Sequence, residues 1–385
     1  MDKQFDLIVV GGGILGTFHA YHAAKKGLKI VVLEKNSAPQ GASVRNFGQV
    51  VPSGMNQKWQ KYGRESLSIY KEIQKQFDIS MLQNGTIYLA SNKEELQLIE
   101  ELHQINKNNG YNSEILTKKA CLAKYPGLKD SYCKAGLFFS EEITVEPQFA
   151  ITRLHQFIKK ELSVLIKYNA TVVNVQNTGV GTVVSTSVGN TYCAVKTIIC
   201  NGCDFKILYP KLYCESDLEV AKIQMMQTQI QPNYKLSGSI LTGLSIRRYE
   251  AFKECPSWSA VKAKENINGL EKKYGVHVLF KQATDGSVII GDSHQYADAK
   301  DKDSLGFFIQ QEIDNFIVKQ AKKIIKLPNY EIKHRWVGFY SQCKNADVFE
   351  YSLGKNIHIV TGIGGKGMTG SAGFSKHNIN QLFNY

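Results

Sequence analysis

No run of apolar residues in this 385-residue chain reaches the roughly 18 to 20 needed to cross a bilayer. The apolar start, Phe5 to Gly16, has no signal-peptide leader or cleavage site, so it reads as a buried strand and the expected location is the cytoplasm. Arginine is scarce, with six residues against a net charge of +13. The positive excess is lysine spread along the chain, and arginine is the preferred bidentate reader of phosphates and bases, so nucleic-acid binding is not expected. A basic field of this kind still attracts a small anionic substrate.

The eight cysteines, at 121, 133, 193, 200, 203, 214, 255 and 343, never form two pairs at zinc-finger spacing, so no metal is expected. Cys200-Asn201-Gly202-Cys203 has CxxC spacing, which permits a redox disulfide. Two small residues closing a buried strand at a turn explain it as well, and that reading is preferred. Repeats, low-complexity tracts and long linkers are missing, and an apolar fraction of 43% is that of an ordinary globular chain.

At this length the chain is expected to form two domains, interleaved in sequence. Phe5 to Val10 is a continuous apolar run, Ile14 to Lys26 has helical spacing, and Leu28 to Leu33 is a second β-rich run ending in Glu34. Together these make a βαβ unit. Helices are expected at 57–77, 92–109 and 147–162, where Pro147 suits a first turn. Short strands follow at 164–168, 171–176, 182–188 and 195–200. Alternation over 223–231 and in parts of 276–281 and 287–291 predicts an antiparallel sheet. A long helix at 305–326, strands at 331–340 and 357–361, and a terminal helix from about 367 complete the reading. The expected class is α/β (α+β overall), a Rossmann-like domain from 1–80, 145–215 and 341–385, with a mixed or antiparallel-sheet substrate domain from 81–144 and 216–340.

Gly11-Gly12-Gly13-Ile14-Leu15-Gly16 places GxGxxG between strand and helix. Gly11 permits the tight turn, Gly13 lets the backbone approach a pyrophosphate, and Gly16 lets helix and strand pack closely. The helix N-terminus offers free N–H groups and a positive dipole end to the phosphates. Glu34 is placed to accept hydrogen bonds from an adenosine ribose. These features fit NAD and FAD alike. Two further segments favour FAD. The loop Ala42 to Gln49 is rich in small and hydrogen-bonding residues that suit a ribityl chain, and strand 357–361 runs into Gly362, Gly364, Gly365, Lys366, Gly367, Met368 and Thr369. A helix starting there stabilises the charge that reduced flavin acquires.

With these motifs the chain resembles the glycine oxidase, D-amino-acid oxidase and sarcosine oxidase family of FAD-dependent enzymes. The resemblance runs over nearly the whole length, through the βαβ unit, the SxxNxG-like loop at Ser43, Arg45, Asn46 and Gly48, the turn at Asn201 and Gly202, and the C-terminal glycine turn. It implies noncovalent FAD, with Lys35 and Val173 added to the cofactor set. Val44-Arg45-Asn46-Phe47-Gly48, Arg247-Arg248-Tyr249 and Gly291-Asp292-Ser293-His294 further resemble a subgroup associated with aminophosphonate catabolism. That implies oxidation of a small amine by hydride transfer to flavin N5, giving an imine that hydrolyses to an aldehyde plus amine or ammonia. Oxygen or another acceptor then reoxidises the flavin.

One departure bears on substrate. Where glycine-oxidase-like members carry an arginine that clamps a carboxylate, Trp336-Val337-Gly338-Phe339-Tyr340-Ser341 has Tyr340. The cations that remain for a phosphonate are Arg45, Arg247, Arg248, Lys281, Arg335 and Lys366, with Arg45, Arg248 and Lys366 favoured. His294 is a candidate for orienting substrate or for proton transfer, although the family needs no dedicated base. A glycine-, sarcosine- or D-amino-acid oxidase or dehydrogenase with a relocated arginine, and a noncatalytic FAD-binding protein, are the alternatives.

Overall fold

The computed structural model describes residues 4–384, and two sheets organise them. In the first, strand Gln4–Val10 lies at the centre, parallel to Ile30–Leu33 on one side and to Thr191–Ile199 on the other. A strand enclosed in this way is buried on both faces over Leu7 to Val10, which is why that stretch is continuously apolar, while Gln4 and Asp6 lie at its more open start. Ile357–Thr361 adds in parallel beside Thr191–Ile199, and Leu165–Lys167 beside Ile30–Leu33. The hairpin of Val172–Asn177 and Thr182–Thr186 joins antiparallel. Helices Ile14–Lys25, Pro147–Glu161 and Gly367–Phe383 pack over this sheet, and their buried residues share one core with the strands.

The second sheet has nine strands. Its axis is the long strand Leu218–Ile230, which pairs along one edge with Ile332–Cys343. The other edge is shared by two short strands, Ser287–Gly291 opposite Met225–Ile230 and Gln295–Asp298 opposite Glu219–Lys222. Residues 292–294 bridge them opposite Ile223 and Gln224, where the regular ladder is interrupted and only a long hydrogen bond from the Ser293 N–H to the Gln224 carbonyl remains, an irregularity that re-aims side chains as bulges near active sites do.

The expected helix at 305–326 is shorter. It spans Gln311–Ile324, while 299–305 forms a 3₁₀ segment and Gly306 takes a φ of +57°. The Lys222 ammonium donates to the carbonyls of Leu305 and Phe308, and the Gln224 side chain donates to the Gln310 carbonyl. These bonds satisfy in place carbonyls that a longer helix would have used. Strand Leu218–Ile230 also begins earlier than the alternation at 223 suggested. Among the described residues no helix is long and apolar enough to cross a membrane.

The sheets are joined at depth by an ion pair. Lys281, on the second sheet and 1% exposed, donates to Glu146 at 2.8 Å and to the Val145 carbonyl at 2.7 Å, just before helix Pro147–Glu161. Lys281 is therefore structural. Removing one partner strands a charge where water does not reach, so Lys281→Ala is expected to lower stability by roughly 3–5 kcal/mol. The double variant Lys281→Met with Glu146→Leu should regain most of it in thermal unfolding, and equal losses in the two would contradict this account.

Candidate functional site

Between the sheets runs a cleft of about 810 Å³, near the upper end of the roughly 300–1,000 Å³ usual for ligand sites. Its floor is the first βαβ unit. Gly11 has a φ of +102°, and a Cβ there would lie 2.3 Å from the Cys200 carbonyl oxygen. At Gly16 a Cβ would lie 2.0 Å from the Gly11 carbonyl oxygen, so this glycine acts in helix–strand packing and does not line the cleft. Gly11, Gly13, Ile14 and Leu15 do line it. His155 supports the loop from behind: burial pushes its imidazole down to about 4, and Nε2 lies 2.9 Å from the Gly12 carbonyl oxygen. A neutral ring donates from Nε2 there, leaving Nδ1 to accept from Tyr168 at 2.9 Å. This role had no local sequence signal.

Glu34 lines the cleft and is fixed by its own backbone surroundings. Oε2 accepts the Gly12 N–H at 2.8 Å, and Oε1 accepts the N–H and side chain of Asn36. Oε1 thereby uses both of its lone pairs, and Oε2 keeps one for a ligand hydroxyl. Lys35 also lines the cleft, paired with Asp204 at 2.5 Å. Val173 does not: it is 44% exposed, whereas Val172 is 5% exposed and faces the cleft. A strand alternates sides, so the expectation was out by one residue.

The loop after the unit divides its work. Ser43 Oγ accepts the Ile14 N–H at 2.9 Å, coupling loop to helix start. Asn46 donates to the Ala42 and Ser43 carbonyls and accepts the Gly48 N–H, so it shapes the loop as well as lining the cleft. Gly48 lies off the cleft, and its φ of +70° and close approach to the Val145 carbonyl explain the glycine. Arg45 lines the cleft and donates to the Val337 carbonyl at 3.2 Å.

Opposite stands the turn at 362–369, all of which lines the cleft. Gly362 and Gly364 have positive φ, and a Cβ at Gly365 would meet nothing within 4 Å, so the turn lies open to a ligand. Lys366 pairs with Glu250 at 3.1 Å and Asp347 at 3.7 Å. Thr369 accepts the Val51 N–H and ties the start of helix Gly367–Phe383 to the wall. Asn201 and Gly202 close the far side, with the Gly202 carbonyl accepting from Ser341 and Thr361. Burial pushes the Cys200 thiol well up and Cys203 up to about 11, and both are free cysteines. Neither has the lowered pKa of a redox thiol.

The second sheet supplies the other end. Tyr340, Arg248, Tyr249, His277, Asp292 and His294 line it together. Arg248 donates to the Tyr296 hydroxyl at 2.7 Å. Burial opposes its charge, but Tyr296, Tyr340 and Asp292 hold it above the ordinary arginine value. Burial would raise the Asp292 carboxyl, yet His277, His294 and Arg248 bring it down to about 2. Burial takes His294 down to about 3, aided by Arg248 and His277 and opposed by Asp292. The Tyr340 phenol is pushed well up by burial.

The other cations are committed elsewhere. Arg247 pairs with Glu94 and Glu95, and Arg335 with Asp314. His277 and Asp292 were not expected in the site. They meet because their backbones exchange hydrogen bonds across the sheet, which nothing local to residue 277 announces. Donor atoms of His277, Asp292 and His294 lie within 4.8 Å of one another. His277 Nε2 is 2.7 Å from Asp292 Oδ1, closer than the roughly 3.4 Å between ligands on a tetrahedral cation, so the contact is a direct polar one.

The family described as DAO, FAD dependent oxidoreductase, matches residues 6–379. Human mitochondrial sarcosine dehydrogenase is 27% identical over 153 residues, which are 39% of this chain and 17% of that protein. Aerobic glycerol-3-phosphate dehydrogenase of Staphylococcus aureus is 25% identical over 43% of this chain and 31% of its own length. The match thus spans under a third of either relative. Among solved structures, glycine oxidase from Geobacillus kaustophilus superposes with a TM-score of 0.77 at 15% identity, covering 99% of this chain and 95% of that one. An FAD-bound L-alpha-glycerophosphate oxidase from Mycoplasma pneumoniae gives 0.78 at 18% identity, covering 100% and 95%. At these identities the likeness is one of fold.

Behind the cleft wall, Glu142 accepts the Ser53 N–H and the Tyr111 hydroxyl, each at 2.9 Å, and anchors the turn that carries Gly54 and Met55 into the site. Burial pushes its carboxyl up from 4.5 to about 7. The folded protein therefore holds a proton that the unfolded chain has lost, and stability should fall by about 3 kcal/mol as pH rises from 4.5 to 7, then level off. Urea unfolding of Glu142→Gln at pH 5 and pH 7.5 should lack that component of the slope. An unchanged slope would place the proton elsewhere.

Proposed function

The chain belongs to the DAO family of FAD-dependent oxidoreductases, and on that premise we propose that it oxidises a small primary or secondary amine bearing a phosphonate, such as 2-aminoethylphosphonate or an N-alkyl relative. FAD is its cofactor. The cleft suits that group: the Gly11 to Leu15 floor would take the pyrophosphate, Glu34 the ribose, the Ser43 to Asn46 loop the ribityl chain, and the open turn at 362–369 the flavin. Bound FAD supplies the acceptor for a hydride from the carbon bearing nitrogen, and the imine then hydrolyses to an aldehyde with amine or ammonia.

The observation that carries the substrate reading is Arg248. It is a half-buried guanidinium on the cleft, and no carboxylate forms a salt bridge with it among the described residues. A phosphonate brings close to two negative charges and three acceptor oxygens, which a guanidinium with adjacent tyrosine hydroxyls receives well. Tyr340 widens the set of donors without adding charge. Arg45 and Lys366 flank the flavin side, and the start of helix Gly367–Phe383 faces charge developing on the cofactor. Fixing the acid group at Arg248 leaves the amine-bearing carbon to be positioned over the flavin, which is most of what the protein must contribute.

Anaerobic mixing with 2-aminoethylphosphonate or its N-methyl derivative is expected to bleach the flavin faster, at equal concentration, than glycine, sarcosine or D-alanine. Arg248→Met should weaken phosphonate binding by at least about thirty-fold while FAD stays bound. Bleaching by the amino acids alone would favour an amino-acid oxidase, and no bleaching by any amine would favour a noncatalytic FAD-binding protein.

A further inference from the structure

We infer that His294 takes the proton from the substrate's ammonium group, and that it does so only when the substrate's own dianionic acid group occupies the cleft beside it. The inference rests on the amine and phosphonate reading above. An amine reaches the site as ammonium and gives up hydride only after its nitrogen lone pair is free, so one N–H bond must break in the cleft.

Asp292, held ionised down to about 2, is too weak a base. Tyr249 and Tyr340 are phenols pushed upward, so both already hold their protons. Arg248 is charged. His277 has Nε2 against Asp292 at 2.7 Å and Nδ1 3.3 Å from the Ser245 hydroxyl. His294 is different. Its Nδ1 lies 3.1 Å from the Gly275 carbonyl oxygen, a contact only a ring N–H can satisfy, so in the neutral ring the lone pair is on Nε2. Nε2 is 3.9 Å from Asp292 Oδ2, the ring stacks on Tyr296 with centroids 6.1 Å apart, and Tyr340 meets it edge-on at 6.2 Å.

With no anion bound, burial, Arg248 and His277 outweigh Asp292 and leave this imidazole at about 3, too weak to accept from an ammonium. A phosphonate reverses the balance. It neutralises Arg248, which faces His294, and adds its own negative field, twice that of a carboxylate at the same distance. The ammonium N–H bond then breaks with its electron pair left on nitrogen, and a new N–H bond forms at Nε2. The resulting imidazolium closes on Asp292. Discrimination between phosphonate and carboxylate thus arises at deprotonation, in addition to binding.

The test counts protons. Ethylphosphonate, which has no amine, is bound to the FAD-loaded protein at pH 8 in buffers of different ionisation enthalpy and followed by calorimetry. Wild type is expected to take up more protons than His294→Gln, the subtraction removing ionisation of the ligand itself. Propionate should give a difference well below that. Equal proton counts in the two proteins overturn the inference. Should the variant fold poorly, with FAD lost, the wild-type difference between ethylphosphonate and propionate decides the matter in the same sense. Flavin reduction supplies an independent reading, because His294→Gln should reduce slowly at pH 7 and recover towards the wild-type rate at pH 10, where the amine is already neutral. A merely structural role would show no such recovery. If aminophosphonates fail to reduce the flavin while the His294-dependent proton uptake persists, the substrate reading falls and the proton site stands. If they reduce it with equal proton counts, the reverse holds.

Discussion

The carbonyl oxygen of Cys200 occupies the space a side chain at residue 11 would need. That contact follows from the parallel pairing of Gln4–Val10 with Thr191–Ile199, which brings two strand ends nearly two hundred residues apart in sequence to the same level. Only glycine, at a φ of +102°, turns there, and the turn aims the first helix at the cleft. Glu34, held by the Gly12 N–H, and His155, holding the Gly12 carbonyl, fix the same loop from opposite sides. The cofactor floor is thus preorganised by backbone geometry, and the remainder of the cleft is arranged against it.

The opposite wall depends on a different device. Two short strands share one edge of Leu218–Ile230, and the regular ladder is interrupted at the bridge between them, opposite Ile223 and Gln224. Asp292 and His294 lie on that bridge, so they enter the cleft as a consequence of how the edge is divided. His277 joins them through paired backbone hydrogen bonds with Asp292, and Tyr340 arrives from the partner strand on the far edge. A rigid sheet therefore positions groups of opposite charge within one small volume.

How much of this was legible in the sequence follows from the range of the interactions. Gly11, Gly13, Glu34 and the turn at 362–369 announce themselves because a tight turn and a helix start impose residue types locally. Most strand and helix positions were legible from periodicity for the same reason. Val173 was misread by one residue because a short strand with exposed and buried valines side by side gives no phase. The front of the expected helix at 305–326 was misread because Lys222 and Gln224, some eighty residues away, capture its carbonyls. His277 was missed altogether, since its neighbour is chosen by sheet register. Local chemistry was readable, and chemistry assembled across strands was not.

That difference also explains where the charge lies. The formal excess of +13 suggests a basic site, yet the cations nearest the cleft are mostly answered: Lys35 by Asp204, Lys366 by Glu250 and Asp347, Lys281 by Glu146. Arg247, adjacent in sequence to Arg248, turns to Glu94 and Glu95. Arg248 is half-buried and donates to a phenol in place of a carboxylate. Tyr296, Tyr340 and the Asp292 carboxylate already favour its charge against burial, and an incoming anion adds to that field. Under the proposed function, selectivity for an acid group rests on this one half-buried guanidinium, and the lysine surface adds the long-range field that draws an anion in. Net charge alone would have pointed to the wrong residues.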